Sequence, residues 1–319
     1  MNLIVTIDTE EDNWSRYSAT DNPVTNIEKL IRLQHMFDRY QVRPTYLISY
    51  PVATNLRSVE ILKRFFGEGK CEIGTHCHPW NTPPFDSKAE IHERDTMLSN
   101  LPERAVFDKI STLHEAIVKN FGTTPVSFRA GRWGFGPAVA KALCRLHYQI
   151  DSSVCAFTDW RQYHGPDYSS FSPKMFRFNS QGLAHPQPDG PLLEVPATVG
   201  FTQNNFKLCQ KLTKSMENSL GRRLRLKRIM DRLGLVNKVW LSPETEGASD
   251  MIALVERMEK KAYPCVNLTF HSSSLLAGLS PFVKTFENER RFNSKIEKFL
   301  SKAIEKSWRP ITLSEVHVS

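Results

Sequence analysis

Several broad protein classes are excluded by what this sequence lacks. Nowhere does it hold the roughly 18 consecutive apolar residues that a membrane-spanning helix needs. The apolar run at its N-terminus, Leu3 to Ile7, is only five residues long, is interrupted by Thr6 and ends at Asp8. It has no basic leader and is too short for a signal-peptide core, which predicts a cytoplasmic chain, peripheral at the inner membrane at most. The six cysteines (Cys71, Cys77, Cys144, Cys155, Cys209, Cys265) show neither CxxC spacing nor the density of a disulfide-stapled domain, so reduced, buried thiols are expected. There is no low-complexity tract, no repeat at a solenoid period and no linker that would split the 319 residues into two domains.

What is present is the composition of a folded globular protein, with 40% hydrophobic and 10% aromatic residues. The formal charge of +8 is concentrated: between Lys207 and Lys238 there are ten Lys or Arg against two acids, Glu217 and Asp231. Leu208, Leu212, Met216, Leu220 and Leu224 recur in that segment at i,i+4 spacing, predicting an amphipathic helical insertion at about 204–240. A solvated face is its default reading. Contact with an anionic membrane or a lipid-linked glycan comes next, and nucleic acid last, since no recognised binding module accompanies the charge.

Elsewhere strands and helices alternate. Strands are predicted at Leu3 to Ile7, Thr45 to Ile48, Cys71 to His78, Val126 to Ala130, Tyr148 to Val154, Leu192 to Val199, Cys265 to His271 and Pro310 to Leu313. Helical periodicity separates them, for example Val106, Ile110, Leu113, Ile117 and Phe121 ahead of Gly122. This is the order of parallel βα units closing as a barrel, whose chemistry sits at the C-terminal strand ends.

Those ends carry Asp8 and Glu10, His76 and His78, Arg129, Asp151, and His271. On a strand, His76 and His78 offer their imidazoles to one face while Cys77 faces the other. Alone, a His-x-His pair is more often two hydrogen-bonded polar residues than half of a metal site. With carboxylates and a spare imidazole at neighbouring strand ends, it becomes the residue set of metal-assisted hydrolysis.

Five segments in order, Thr6-Ile7-Asp8-Thr9-Glu10, Glu72 to Trp80, Phe128 to Gly134, Asp151 to Val154 and Leu268 to Ser273, resemble the motifs of the polysaccharide deacetylases. These form carbohydrate esterase family four, with the NodB homology domain, and the likeness is closest to members of lipopolysaccharide biosynthesis clusters. It covers about Met1 to Ser280.

The resemblance implies a distorted (β/α) barrel of about seven strands, here with a basic helical insertion. It implies a divalent metal, commonly zinc, and hydrolysis of an N-acetyl, less often an O-acetyl, group from a sugar. The sugar belongs to a bacterial surface polysaccharide or a lipid-linked precursor. On matching positions it makes Asp8 the general base, Glu10 the carboxylate ligand, and His76 and His78 the imidazole ligands. Arg129 holds the base, His271 is the general acid, and Asp151 supports it.

Three positions depart from the family pattern. Thr9 separates Asp8 from Glu10, with Glu11 a substitute ligand; Arg132 competes with Arg129; and Trp80 stands where a second histidine is usual. His78 is the firmer ligand, and His76 is either the second ligand or a neighbour. The competing expectation is a catalytically silent glycan- or membrane-binding barrel that has lost a ligand.

Overall fold

A computed structural model describes residues 1–85, 90–216 and 235–317. Eleven strands are described. β1 (Asn2–Thr9), β2 (Thr45–Ile48), β3 (Glu72–Cys77), β4 (Ser127–Ala130) and β5 (Ile150–Asp151) lie side by side in parallel. β6 (Phe176–Phe178) runs antiparallel to β7 (Leu192–Glu194), which joins β5. β8 (Val199–Phe201) and β9 (Lys238–Trp240) form a separate two-stranded sheet. β10 (Cys265–His271) and β11 (Arg309–Ile311) both pair with β1. The path is β10-β1-β2-β3-β4-β5-β7-β6, a curled sheet whose end strands do not meet among the described residues.

Alternation along β1 explains how this sheet is filled. Leu3, Val5 and Ile7 pack into the main core shared with the helices, while Ile4 joins Leu47, Ile150, Leu193 and Ile311 in a second cluster that plugs the base. Above the plug the inward residues turn polar. Thr6 donates to Asn267 Oδ1 (2.9 Å), and Asp8 lies one layer higher, in register with His271. A polar interior is tolerated only because its groups bond one another, so the chemistry is pushed toward the C-terminal strand ends.

The helices cover the outside. α1 (Lys29–Arg39) buries Leu30, Leu33 and Phe37; α2 (Tyr50–Thr54) and α3 (Leu56–Gly67) follow β2. α4 (Glu103–Phe121) buries the predicted stripe and ends at Gly122, whose φ of 70° is the left-handed cap that glycine adopts freely. α5 (Pro137–Arg145), α6 (Phe206–Met216), α7 (Ala248–Lys260) and α8 (Phe286–Glu305) complete the set.

The Asn26 side-chain amide donates to Asp12 Oδ1 and to the Glu10 carbonyl, fixing the turn after β1. Three expectations are corrected. The strand expected over Tyr148 to Val154 shrinks to two residues, because Ser152 and Ser153 spend their hydroxyls on Val195 and Asp151. Leu192 to Val199 is two strands, since Pro196 has no N–H for a ladder. In α6 the packed face is Phe206, Cys209, Thr213 and Met216, and Leu208 and Leu212 are exposed. Leu220 and Leu224 lie outside the described residues, as does the whole stretch 217–234 of the insertion.

Candidate metal centre and active site

β1 and β3 deliver the metal-binding corner. Alternation puts His76 and His78 on one side, ring centroids 4.5 Å apart, and the buried Cys77 on the other. Glu10, just past β1, brings its Oε2 to 3.5 Å from His76 Nε2 and 3.3 Å from His78 Nε2. All three side chains are buried, and their ligand atoms lie within 4.8 Å of one another, the one such cluster among the described residues.

The other ring nitrogens fix how these imidazoles present themselves. His76 Nδ1 lies 3.2 Å from the Arg129 carbonyl and His78 Nδ1 3.0 Å from Glu11 Oε1. Both partners only accept, so each Nδ1 is the donor there and each Nε2 is the ring atom turned toward Glu10. Glu11 therefore orients His78, a candidate ligand. One carboxylate oxygen and two neutral imidazoles fit a divalent cation. Trp80 stacks on His78 at 4.1 Å and 21°, and a Cβ on Gly131 would stand 2.2 Å from His78 Cδ2. Gly131 is thus what lets β4 approach this ring.

Beside the corner, Arg129 is fully buried and all five of its N–H groups are used. Nη1 donates to Asp8 Oδ1 (2.5 Å) and Thr269 Oγ1 (2.9 Å), Nη2 to Thr6 Oγ1 (2.9 Å) and Ser152 Oγ (2.8 Å), and Nε to the Ser152 carbonyl (2.8 Å). Burial, the largest single effect, pushes the Asp8 carboxyl up, but the Arg129 charge, the His76 and His271 imidazoles and the Arg129 hydrogen bond together outweigh it and hold Asp8 at about 2, ionised at neutral pH. Arg132 does not share this role. It pairs with Glu93 at 3.0 Å and bonds Thr96, with a left-handed φ of 53°.

His271 stands across from Asp8, Nε2 to Oδ2 3.8 Å. Its Nδ1 is 3.0 Å from Glu244 Oε2 and 3.1 Å from Oε1, and Ser274 Oγ donates to the same carboxylate at 2.5 Å. Burial would lower the imidazole, yet Glu244 leads the opposing charges and lifts it to about 10. Sequence reading missed Glu244, which follows β9 in Ser242-Pro243-Glu244. The apolar run Val239-Trp240-Leu241 was the available signal, masked by its place at the end of the basic segment.

The carboxylate expected behind His271, Asp151, is elsewhere. It accepts from Ser153 Oγ (2.6 Å) and pairs with its cross-strand neighbour Glu194, which accepts from Val154 N (2.9 Å). Burial, partly offset by the bonds from Glu194 and Ser153, pushes Asp151 up to about 6; burial and the Asp151 charge push Glu194 well above the usual range. The pair therefore holds a proton near neutrality. Folded, these carboxyls keep protons that the unfolded chain has released, so their contribution to stability is full below about pH 4 and falls as pH rises through about 6. The variant D151N/E194Q is expected to flatten this decline by roughly 1–3 kcal/mol between about pH 4.5 and pH 7, as read by urea unfolding against wild type. An unchanged slope would remove the shared proton.

No protein-family model matches the chain, and no curated protein is found similar to it. Solved structures are similar at low identity. A candidate polysaccharide deacetylase from Mycobacterium smegmatis is 14% identical, with TM-score 0.49, over 99% of this chain and 94% of that one. A family 4 acetyl xylan esterase from Clostridium thermocellum, in complex with a cobalt ion, is 12% identical, with TM-score 0.45, over 99% and 89%. A candidate glycoside hydrolase/deacetylase from Parabacteroides distasonis is 13% identical, with TM-score 0.56, over 98% of this chain and 70% of that one. The last likeness shows the fold, a mixed α/β distorted (β/α) barrel with a curled sheet.

Proposed function

We propose that the protein is a metal-dependent hydrolase that removes an acetyl group, an N-acetyl, from a sugar of a bacterial surface polysaccharide or lipid-linked glycan precursor. The observation that carries this is the buried Glu10–His76–His78 set, both Nδ1 atoms held by acceptors, beside an ionised Asp8 and a Glu244-backed His271. Two histidines, one carboxylate and an open position form a catalytic donor set for Zn²⁺, the ion we assign. When bound, such an ion supplies Lewis acidity, polarising an acyl carbonyl and making water acidic near neutrality.

The chain's own groups complete the reaction. Asp8 takes the proton of the attacking water as its oxygen bonds the acyl carbon; protonated His271 gives a proton to the leaving nitrogen as the C–N bond breaks. Acetate and a free amine result. Arg129 keeps Asp8 ionised and in place, and Glu244 keeps His271 charged. The silent-barrel alternative needs a missing ligand, and three donors are supplied here.

The cytoplasmic and lipid-linked parts of the reading rest on sequence. α6 adds exposed Lys207, Lys211 and Lys214 beside exposed Leu208 and Leu212, which favours contact with an anionic membrane surface.

Metal analysis and acetate release test the proposal together. One divalent ion per chain is expected, with hydrolysis of an N-acetylated sugar by the loaded protein and loss of both in His78→Ala. Protein that binds no ion, or that releases no acetate with any divalent metal, would sink it. Glu244→Gln keeps a bond to His271 but removes the charge, so the imidazole loses its proton at lower pH. The alkaline limb of the kcat profile should move down by about one pH unit or more. A stationary limb would leave Glu244 with a purely structural role.

A further inference from the structure

The walls of the cleft above the metal corner point to the size and charge of the substrate. We infer that the site takes a single uncharged sugar at the end of a glycan and does not accept interior units of a polymer; this rests on the deacetylase reading.

The cleft holds about 450 Å³, within the range of roughly 300–1,000 Å³ found for small-molecule pockets. Its walls are aromatic and stand on three sides of the Glu10–His76–His78 corner. On the His271 side, Trp14 meets the imidazole edge-on at 4.8 Å and is backed by Phe282 at 5.4 Å. On the His78 side, Tyr17 leans on Trp80 at 5.0 Å. On the third, Trp240 stands between Trp133 (5.6 Å) and Trp160 (6.3 Å), with Tyr163 beyond at 6.2 Å from Trp160. These rings come from segments following β1, β3, β4, β5 and β10 and from β9 itself, most of the circuit of the barrel mouth. A site that threads a polymer needs a trough open at two opposite ends, and walls placed round the circuit make a pocket instead.

The chemistry of the walls suits a sugar. The C–H faces of a pyranose are apolar and lie flat on aromatic rings. Charge argues for a neutral unit. Arg132 is the one Lys or Arg among the described lining residues, and Glu93 already neutralises it, whereas Glu11 and Glu244 also face the cleft.

The test uses the intact, metal-loaded chain and methyl glycosides of N-acetylglucosamine, N-acetylgalactosamine and N-acetylmannosamine, with their oligomers up to hexamers. Tryptophan fluorescence follows binding; mass spectrometry locates the units that lose acetyl. At least one monomer is expected to bind, with an affinity gain below about threefold from monomer to hexamer. One acetyl should be lost per oligomer, from a terminal unit. Trp160→Ala and Trp240→Ala, tested separately, should each weaken monomer binding by about tenfold or more. Affinity that climbs with length, deacetylation of interior units, unchanged binding in both variants, or no binding by the whole panel would overturn the inference. Length-independent binding without acetate release under any metal would instead defeat the deacetylase reading and leave the pocket assignment standing.

Discussion

Asp8→Asn lowers kcat for acetate release by about 10²- to 10⁴-fold, with KM and metal content little changed. Asparagine occupies the same volume and still accepts from Arg129 Nη1, but it cannot take a proton from water. Glu10, His76 and His78 are untouched, so the ion should stay. Steady-state kinetics on protein checked for metal stoichiometry reads the effect. Activity within about tenfold of wild type would remove Asp8 as the base and return the role to another carboxylate of the cleft, such as Glu11. Glu11, however, is held by His78 Nδ1, so it would have to release a ligand's orienting bond to act.

The largest loss of stability is expected at Arg129. Arg129→Met strands the Asp8 carboxylate in the interior and takes a donor from Thr6, Ser152 and Thr269 together, at a cost of about 3–5 kcal/mol. Arg129→Lys should recover only part of this, because an ammonium offers three donors where the guanidinium uses five. Adding Asp8→Leu to Arg129→Met should restore stability, since a buried pair replaced whole by apolar groups is often neutral. Urea unfolding of the metal-free proteins measures all three. A loss below about 1 kcal/mol in Arg129→Met would mean that water reaches Asp8 and the buried pair is not what holds these strand ends.

The parts of the molecule legible in sequence are those where one period governs a long run. The seven residues of β10 were predicted to the residue, and the α4 stripe and the His76–His78 alternation followed the same way. Legibility failed where a side chain took over a backbone's business. Ser152 and Ser153 bond across the barrel and end β5 after two residues. Asp151 finds Glu194 only because β7 skips past β6 to lie beside β5, which periodicity does not reveal. Glu244 escaped for a related reason. Its loop gains meaning from β9, a three-residue strand that, among the described residues, pairs only with β8.

The two halves of the site differ in how far apart the chain must reach to build them. The three proposed metal ligands all lie before residue 80, in or just past β1 and β3, which only β2 separates in the described sheet. The base and acid meet only when β10 docks in register on β1, bringing Asp8 beside His271 from near the other end of the chain. Loop closure favours the nearer contacts, so on refolding the ion-binding corner should assemble before the acid–base pair. Metal uptake would then run ahead of activity, and a chain that has captured its ion is not yet one that can turn over.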